Sequence, residues 1–396
     1  MDEYLNRAVR LLGSEFGAPA HARVFAPGRV NLIGEHIDYN GGRVMPCSLS
    51  LGTYAAAARR GDGRIRLVSA DMPGETVETD AAQIASLPHE SGAFRRFGWA
   101  AYPLGVAAKL ISRGRGIGGF DMAVTGSLPR GSGLSSSASL EVLTCAVLRE
   151  LFGFELGGVE AALISREAEH DCAGVNCGIM DQFICAAGRE NSALLLDTGT
   201  LEYSYFPFDL GEYTLLIMNT KKPRRLASSK YNERRSECGE ALRLLRTAYP
   251  EKAALCELTP EEFRAAAHLL PEPLLRRARH AVTENRRTEE AAAALSAGDM
   301  TRFGALLNAT HDSLRFDYEV TGFELDAIVE AARAHSSVLG ARMTGAGFGG
   351  CAIAICAASE AEEVKKDIAA VYNEKTGIEC EIFTARTADA PFGGMM

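Results

Sequence analysis

The sequence predicts an α+β fold with two domains, and three features of the chain lead to that prediction. With 396 residues, the chain is long enough for two domains of ordinary size. Strand-like and helical runs alternate in its first half, whereas its second half is helical in the middle and closes with strand, helix and strand. The polar stretch at residues 197–212 is the candidate linker, so we place an N-terminal domain at residues 1–205 and a C-terminal domain at residues 206–396.

The N-terminal half combines helices with strands. Residues 24–42 contain two short apolar runs around Pro27-Gly28 and end in the pair Asn40-Gly41, which indicates a hairpin. Apolar residues at helical spacing predict helices at residues 1–20, 95–112, 140–151 and 158–171. Apolar runs bounded by polar residues predict strands at residues 51–70, 117–125 and 193–197.

The C-terminal half begins with an apolar run at residues 213–219, which predicts a buried strand. Helical periodicity follows at residues 228–248, 260–269, 273–297, 299–309 and 322–335. The chain then closes with a strand, a helix and a strand at residues 352–357, 360–374 and 377–385.

The composition describes a globular protein that binds neither nucleic acid nor membrane. Hydrophobic residues make up 47% of the chain and charged residues 23%, and the net charge of −9 disfavours a phosphate backbone as partner. The basic run at 276–279 is typical of a solvated helix face. No apolar run is long enough to span a bilayer, and the first residues lack the pattern of a secretory signal. We therefore expect a cytoplasmic protein.

Ten cysteines in such a chain indicate reduced thiols. Cys172, Cys177 and Cys185 lie close together in the sequence, but their spacings are not C-x-x-C. The chain also lacks a second cysteine pair that would complete a metal site with them. We interpret them as buried structural thiols.

A glycine- and serine-rich stretch, Pro129–Ser139, lies between a strand-like run and a helical run. The start of that helix would bring together backbone N–H groups, the positive end of the helix dipole and serine hydroxyls. Such an arrangement is typical of a phosphate-binding site. The alternative is a flexible surface loop before a helix capped by serine. The stretch is not a Walker loop, because Ser132 and Gly133 stand where that motif requires Lys and Ser/Thr.

Other nucleotide motifs fail on their context. Two G-x-G-x-x-G matches begin at Gly114 and Gly345, and the first of them precedes a strand instead of opening a helix. The chain has no H-R-D or D-F-G segment, which excludes a protein kinase.

Polar residues also collect at a predicted strand–loop junction. These residues are Arg29, Glu35, His36, Asp38 and Asn40. The alternative to a site is a solvated hairpin tip, but the charges alternate with glycines and apolar residues instead of sharing one face.

Asp181 lies in an otherwise uncharged run, where an ionised carboxylate is costly unless it is paired. A helix N-cap is its alternative role. Trp99 and Tyr102 are three residues apart on a predicted helix, and on spacing alone core packing is the favoured interpretation.

Three motifs in this order resemble the galactokinases, within the superfamily of galactose, homoserine, mevalonate and phosphomevalonate kinases. Residues 28–42 resemble the galactokinase signature, Pro129–Ser139 the superfamily's phosphate loop, and Met343–Cys351 its C-terminal glycine-rich motif. Residues 178–182 and 229–231 are also similar to galactokinase segments. The resemblance covers nearly the whole chain, and the first motif is specific to sugar 1-kinases.

The resemblance implies a two-domain sugar kinase whose mixed sheets are covered by helices, with the active site in the cleft between the domains. It implies that Asp181 is the active-site aspartate near the sugar C1 hydroxyl and that Arg29 lies beside that hydroxyl and the transferring phosphoryl group. The other implied sugar-binding residues are Glu35, His36, Asp38, Gly178 and Tyr231.

ATP and Mg²⁺ are the cofactors that the resemblance implies. The implied phosphate-binding residues are Gly131, Ser132, Gly133, Leu134, Ser135, Ser136 and Ser137. Ser137 and Glu169 match the family's magnesium ligands. Trp99 and Tyr102 match the family's adenine-pocket aromatics, so for these two residues the resemblance replaces the core-packing interpretation. Ile37 departs from the family pattern, where threonine is frequent, and this departure bears on sugar selectivity.

The residue chemistry agrees with these roles. Phosphoryl transfer requires positioning and charge neutralisation, and Arg29 offers a permanently charged fork. Asp181 can accept or orient the proton of the attacking hydroxyl, and short polar side chains can read the hydroxyls of a pyranose.

The predicted function is ATP-dependent phosphorylation of D-galactose at C1, the first committed step of galactose catabolism, by a monomer with small-molecule substrates. Kinases for N-acetylgalactosamine, galacturonate or arabinose share much of the signature and are the alternatives. A non-catalytic sugar sensor is a further alternative, and the unbroken loop Ser135–Ser139 with Arg29 and Asp181 favours an enzyme.

Overall fold

The computed structural model describes residues 2–72, 74–88, 92–129, 131–222 and 227–393, so Arg130 of the phosphate loop lies outside the described residues. These described residues form two β-sheets, one of seven strands and one of four. The strands of the larger sheet are β1 (Ala22–Ile33), β2 (Arg43–Arg60), β3 (Arg64–Ser69), β4 (Thr76–Asp80), β5 (Gly119–Gly126), β6 (Ser192–Asp197) and β7 (Tyr203–Pro207).

The larger sheet is mixed. Its strands lie in the order β4-β3-β5-β2-β6-β7, with β1 paired to β2, and β3 runs parallel to β5 while the other pairings are antiparallel. The helices of this half are α1 (Asp2–Phe16), α2 (Ala81–Ser86), α3 (Ala101–Ser112), α4 (Ser136–Phe152), α5 (Gly158–Glu167) and α6 (Met180–Ala187). Helix α4 packs on β1 and β2, and its apolar face joins the main core through Val142, Leu143 and Val147.

The smaller sheet is antiparallel throughout. Its strands are β8 (Tyr213–Asn219), β9 (Val338–Thr344), β10 (Cys351–Ala357) and β11 (Glu381–Ala385), in the order β11-β8-β10-β9. The helices of this half are α7 (Ala227–Leu245), α8 (Pro260–Ala266), α9 (Leu274–Ser296), α10 (Met300–Ser313), α11 (Phe323–Arg333) and α12 (Ala361–Thr376). The prediction of an α+β fold with helix-covered sheets is confirmed.

The predicted hairpin differs from the observed one. Strand β1 continues through Pro27-Gly28 with an irregular register between Pro27 and Arg29, and residues 34–42 form one long connection to β2. The connection turns on itself, because the N–H of Asn40 donates to the carbonyl of Ile37 and the side chain of Asn40 donates to the carbonyl of His36. This long connection carries three of the predicted sugar-binding residues, Glu35, His36 and Asp38.

The candidate linker is wrong in part, because β7 lies within it. Strand β7 pairs with β6, and the proposed domain boundary between residues 205 and 206 falls inside β7. Several bounds also differ from prediction. The predicted helix at 95–112 is a 3₁₀ segment (Arg95–Ala100), interrupted by a non-helical Gly98 (φ 59°, ψ −129°), that leads into α3. The helix predicted at 158–171 ends in a π-helical turn, and β4, α2 and β9 have no counterpart in the predicted elements.

The two halves meet along β1 and β9. The backbone N–H of Asn31 donates to Thr344 Oγ1 at 3.1 Å, and the same hydroxyl donates to the carbonyl of Asn31 at 3.1 Å. Residues 386–392 also return to the N-terminal half, where Arg386 and Ala388 accept hydrogen bonds from Ser50 and Ser48. A cleft opens beside the β1–β9 contact.

All ten cysteines are free thiols, and eight of them are buried. Cys172 and Cys185 lie in the core as predicted, whereas Cys177 is half-buried. Among the residues described, no helix is both long and apolar enough to cross a membrane.

Candidate active site

A cavity of about 490 Å³ lies in the cleft between the two halves. Every predicted sugar-binding residue lines it, namely Arg29, Glu35, His36, Asp38, Gly178, Asp181 and Tyr231. Further lining residues come from both halves. Gly345 and Ala346 belong to the predicted glycine-rich motif, whereas the sequence analysis assigned no role in the site to Arg95, Asn176, Cys177 and Asn232. Residues that are up to 317 positions apart, from Arg29 to Ala346, therefore share one small volume.

Arg29 and Asp181 form a bidentate ion pair in the wall of the cavity. Arg29 Nε donates to Asp181 Oδ1 at 2.9 Å, and Arg29 Nη2 donates to Oδ2 at 2.8 Å. The remaining guanidinium nitrogen, Nη1, donates to the carbonyl of Gly133 at 2.7 Å, and the Ser135 hydroxyl donates to Asp181 Oδ2 at 2.6 Å. The pair is thus tied directly to the predicted phosphate loop.

This geometry corrects the N-cap alternative for Asp181. The residue that caps α6 is Ile179, and Asp181 lies within the first turn with its carboxylate on Arg29. Burial by itself would lower the pKa of the Arg29 guanidinium, but the carboxylates of Asp181 and Glu35 outweigh burial and raise that pKa above its ordinary value. Arg29, which is 4% exposed, is therefore a permanent buried cation at the cavity.

Asp38 approaches the chain at Gly178. A Cβ atom on Gly178 would lie 1.6 Å from Asp38 Oδ2, so only glycine leaves room for the carboxyl. Burial raises the pKa of Asp38 to about 7, and the nearby carboxylates of Asp181 and Glu35 act in the same direction. The cavity therefore carries a carboxyl that changes charge near neutral pH.

Glu35 is held from the C-terminal half. Its carboxylate forms a buried ion pair with Arg342 of β9, and Oε2 accepts from the backbone N–H of Gly345 at 2.8 Å. Arg342 also donates to the carbonyl of Leu32 at 2.9 Å. Sequence reasoning missed Arg342, because an arginine inside a strand pattern carries no signal of its partner.

Helix α9 supports the same connection from behind. Glu284 is fully buried and accepts from the N–H groups of Gly34 and Glu35 at 2.9 and 3.3 Å, while Arg287 Nε donates to its other oxygen at 2.7 Å. His280 lies within 3.0 Å of the carbonyl of Glu35. The sequence analysis also did not identify Glu284 and His280, because their helix has the pattern of an ordinary charged amphipathic helix.

The phosphate loop has the backbone of an anion-binding nest. Gly131, Gly133 and Ser135 have positive φ angles of 69°, 76° and 61°, and the residues between them do not. Such alternation turns successive N–H groups toward one concave face, which binds anions. Ser135 occupies the N-cap position of α4 without a side-chain cap, because its hydroxyl bonds to Asp181 instead.

The loop also approaches β1 closely. The N–H of Arg29 donates to the carbonyl of Leu134 at 3.2 Å, and a Cβ atom on Gly28 would lie 2.7 Å from that carbonyl oxygen. Glycine at position 28 is therefore required for strand and loop to touch. This contact brings the nest next to the Arg29–Asp181 pair.

The predicted magnesium ligands lie next to one another behind the loop. A hydrogen bond links Ser137 to the Glu169 carboxylate, and Gln182 Nε2 donates to Glu169 Oε2 and to Glu141 Oε2. Burial raises the pKa of Glu169 to about 7. Two buried acceptor oxygens here, Glu141 Oε1 and Gln182 Oε1, have no partner.

This donor set suits Mg²⁺, which takes oxygen ligands and usually combines one or two carboxylates with phosphates and water. Within the described ranges, no group of three His, Cys, Asp or Glu side chains could hold a metal ion alone. A site with one carboxylate and one hydroxyl therefore fits a cation that arrives with a nucleotide. Glu141 and Gln182 are further residues that the sequence reasoning did not select.

The predicted adenine-pocket aromatics do not line the cavity described above. Trp99 and Tyr102 are half-buried and pack against the main core, and the indole Nε1 of Trp99 has no hydrogen-bond partner. Burial raises the pKa of Tyr102 to about 12, and Glu169 acts in the same direction. Tyr102 is thus near the predicted magnesium ligands, and a role in adenine binding stays a prediction.

Comparison with known proteins shows which family the chain is similar to. Residues 13–59 match the family model described as the galactokinase galactose-binding signature, residues 101–189 match the GHMP kinases N terminal domain, and residues 291–374 match the GHMP kinases C terminal model. The chain is 47% identical to the galactokinase of Ligilactobacillus salivarius over 94% of this chain and 95% of that protein. It is also 47% identical to the galactokinase of Streptococcus mutans, with coverage of 94% of both chains.

Solved structures are similar as well. The structure of Lactococcus lactis galactokinase complexed with galactose superposes with a TM-score of 0.92 at 42% identity and covers 98% of both chains. The mevalonate kinase of Methanococcus jannaschii matches with a TM-score of 0.67 at 19% identity, covering 93% of this chain and 99% of that one, which indicates a shared fold.

Proposed function

This chain belongs to the galactokinase family, and from that membership we propose that it transfers the γ-phosphoryl group of ATP to the C1 hydroxyl of D-galactose. The observation that supports this proposal best is the Arg29–Asp181 ion pair, which faces the sugar-sized cavity and also bonds to the phosphate loop through Gly133 and Ser135. A sugar hydroxyl and a phosphoryl group would meet at this pair.

Asp181, Arg29 and the phosphate loop have separate roles in the proposed phosphoryl transfer. The Asp181 carboxylate accepts a hydrogen bond from the C1 hydroxyl, orients it and takes its proton as the new O–P bond forms, while the bond from the γ-phosphorus to the bridging oxygen breaks and ADP leaves. The Arg29 guanidinium stabilises the negative charge on the transferring group, which in phosphoryl transfer is the main requirement. The loop N–H groups from Gly131 to Ser135 hold the phosphates.

The metal and the adenine complete the proposed site. Ser137 and Glu169 would hold Mg²⁺, which neutralises phosphate charge when it is bound. Trp99 and Tyr102 are proposed to lie against the adenine ring. Because Trp99 is the only tryptophan, its fluorescence should change when ATP binds, whereas constant fluorescence with binding confirmed by calorimetry would return Trp99 to core packing.

Binding of galactose is proposed to involve Glu35, His36, Asp38, Gly178 and Tyr231 together with Arg29 and Asp181. All of them line the cavity, and short polar side chains from both halves surround it. We further propose that the enzyme works in the cytoplasm as a monomer. Ten free thiols favour a reducing compartment, and few large apolar side chains of the described residues are exposed.

The decisive experiment is an ADP-release assay with MgATP and a panel of free sugars. The panel should contain galactose, N-acetylgalactosamine, galacturonate and arabinose, with phosphorus NMR of the product. We expect galactose to be preferred and to yield a 1-phosphate, and the D181N variant serves as the control. A 6-phosphate, a different preferred sugar or binding without turnover would contradict the proposal.

A further inference from the structure

Gln182 is fully buried beside Glu169, one of the two predicted magnesium ligands. Its amide nitrogen Nε2 donates to Glu169 Oε2 and, at 3.3 Å, to Glu141 Oε2. The two hydrogens of one amide group therefore serve two carboxyl groups. Gln182 thus links a carboxyl group of α4 to one in the π-helical turn that follows α5.

The orientation of this amide follows from its neighbours. A flipped amide would place Oε1 against both carboxyl oxygens, and an ionised carboxylate can only accept hydrogen bonds. A carboxyl group must be ionised to bind a metal ion. The NH₂ group of Gln182 therefore faces Glu169 whenever Glu169 acts as a metal ligand.

Two donors act on the same oxygen of Glu169. Oε2 accepts from the amide of Gln182 and also from the thiol of Cys177, whose Sγ lies at 3.4 Å. Neither of these two groups bonds to Oε1. Together they fix the direction of the carboxylate and leave its second oxygen available to a cation, which is what the outer partners of metal-binding carboxylates do.

The elements around Gln182 carry all of the predicted metal ligands. Glu169 lies in a π-helical turn, an irregularity that is frequent at functional sites. Glu141 follows the other predicted ligand, Ser137, by four residues on α4, so the two share one helix face. Gln182 itself follows Asp181 in the first turn of α6. The amide therefore connects the metal ligands to the helix of the proposed proton acceptor.

The two carboxyl groups also lack a positive partner. Among the residues that the structure describes, no Lys, Arg or His side chain forms an ion pair with Glu141 or Glu169. Burial of a carboxylate without a countercharge is costly. A divalent cation beside Glu169 would supply that charge.

We propose that Gln182 is a positioning residue for the divalent cation and that Glu141 holds the amide of Gln182 in place. This inference rests on the proposed function, in which Ser137 and Glu169 bind Mg²⁺. Gln182 acts through Glu169, because it keeps that carboxylate in the orientation that binds the cation. The alternative is that Gln182 serves only the packing of α6.

The first test is Gln182→Met, which keeps the length of the side chain and removes both donors. Electron paramagnetic resonance of free Mn²⁺ measures the affinity of the protein–ADP complex for this cation without any turnover. Loss of a residue that orients a metal ligand costs about 10–100-fold in metal affinity, so the Kd for Mn²⁺ should rise by a factor in that range. The affinity for galactose, measured by calorimetry in EDTA, should stay close to that of the parent.

A matched control is Gln83→Met, which deletes the other glutamine amide of the chain. The oxygen of that amide accepts from Thr79, outside the cavity, so both affinities should stay unchanged. Glu169→Ala gives the effect of losing a ligand outright. Glu141→Met should raise the Kd for Mn²⁺ less than Gln182→Met does, because it frees the amide without removing it.

The proposal is overturned if Gln182→Met binds Mn²⁺ as the parent does. It is also overturned if galactose binding weakens in step with Mn²⁺ binding, because that result would show a displaced α6. If Gln182→Met melts early, Glu141→Met carries the same two readouts, and an unchanged Kd for Mn²⁺ in that variant would then overturn the proposal. Failure of the proposed function is distinct, because a protein that phosphorylates no sugar still reports its Mn²⁺ affinity in every variant.

Discussion

At the scale of single residues, Arg29 and Asp181 combine an observed ion pair with a proposed catalytic role. Their bidentate pair is largely buried, so each charge depends on the other, and both face the same cavity. A catalytic role and a purely structural role therefore predict different behaviour only when charge is removed and shape is kept.

Asp181→Asn makes that separation. The amide can still accept from Arg29 and from a sugar hydroxyl, but it removes the proton acceptor, so kcat should fall about 10²–10⁴-fold. Galactose titration and thermal melts of the variant check the assignment. Early melting with lost galactose binding would instead show that the pair serves only the fold.

Asp38 predicts a pH dependence of stability. Its pKa is raised to about 7 in the folded protein from 3.8, so the folded state keeps a proton that the unfolded chain has released, and stability falls as pH rises through that window. The upper limit is about 4 kcal/mol, which water in the open cavity will reduce. Asp38→Asn should therefore raise the melting temperature at pH 8 and have no such effect near pH 4, as thermal unfolding across this range would show. An equal shift at both pH values would contradict the assignment.

At the scale of elements, the connection between β1 and β2 is shaped by the helix behind it. Helix α9 places Glu284 under Gly34 and Glu35, and its Arg287 neutralises the carboxylate. Burial would raise the pKa of Glu284, but Arg287 and His280 outweigh burial and lower that pKa to about 2. The connection that carries Glu35, His36 and Asp38, which are predicted to bind the sugar, is thus supported by a buried charge from the other half.

Glu284→Gln should destabilise the protein by about 3 kcal/mol near pH 7, because it removes one partner of a buried charge network. Since the folded pKa is depressed, this contribution is present above pH 4.5 and is lost as pH falls toward 2. Urea unfolding at several pH values measures both effects. The control is Glu240→Gln, whose pair with Arg243 is exposed to solvent and should contribute little to the free energy of unfolding. Equal losses in the two variants would contradict the argument.

At the scale of the whole molecule, the cavity exists because the two halves share charged contacts. Arg342 of β9 is fully buried and binds both the carboxylate of Glu35 and the backbone of β1. The glycine-rich turn after β9 places Gly345 on the same carboxylate. The relative position of the halves and the shape of the sugar site are therefore coupled.

Arg342→Met keeps much of the side-chain volume but leaves Glu35 as an uncompensated buried charge. We expect a stability loss of about 3–5 kcal/mol together with a raised KM for galactose. Arg243→Met removes an exposed arginine, so the free energy of unfolding and the KM for galactose should both stay close to those of the parent. Urea unfolding and initial rates check the two effects, and a stable variant with an unchanged KM would show that the contact does not couple the halves.

Much of the candidate site could be predicted because many of its residues lie in short motifs, with Asp181 in the galactokinase-like segment 178–182. Arg29, Asp38 and Asp181 stand among glycines and apolar residues, where a charge without a task is costly. The phosphate loop is local as well, since positive φ at Gly131 and Gly133 follows from residue type. The strands and helices were identified by periodicity, and their bounds shifted where a glycine such as Gly98 interrupts the helix.

By itself, the sequence determined the α+β class, the order of most elements and the family motifs, because these depend on local periodicity and spacing. Only the tertiary structure decided that Asp181 pairs with Arg29 instead of capping its helix, and that Arg342 and Glu284 hold the sugar loop. The physical reason is that these contacts join residues 152 to 307 positions apart. Their strength comes from burial and from hydrogen-bond geometry, which no local pattern of residues records.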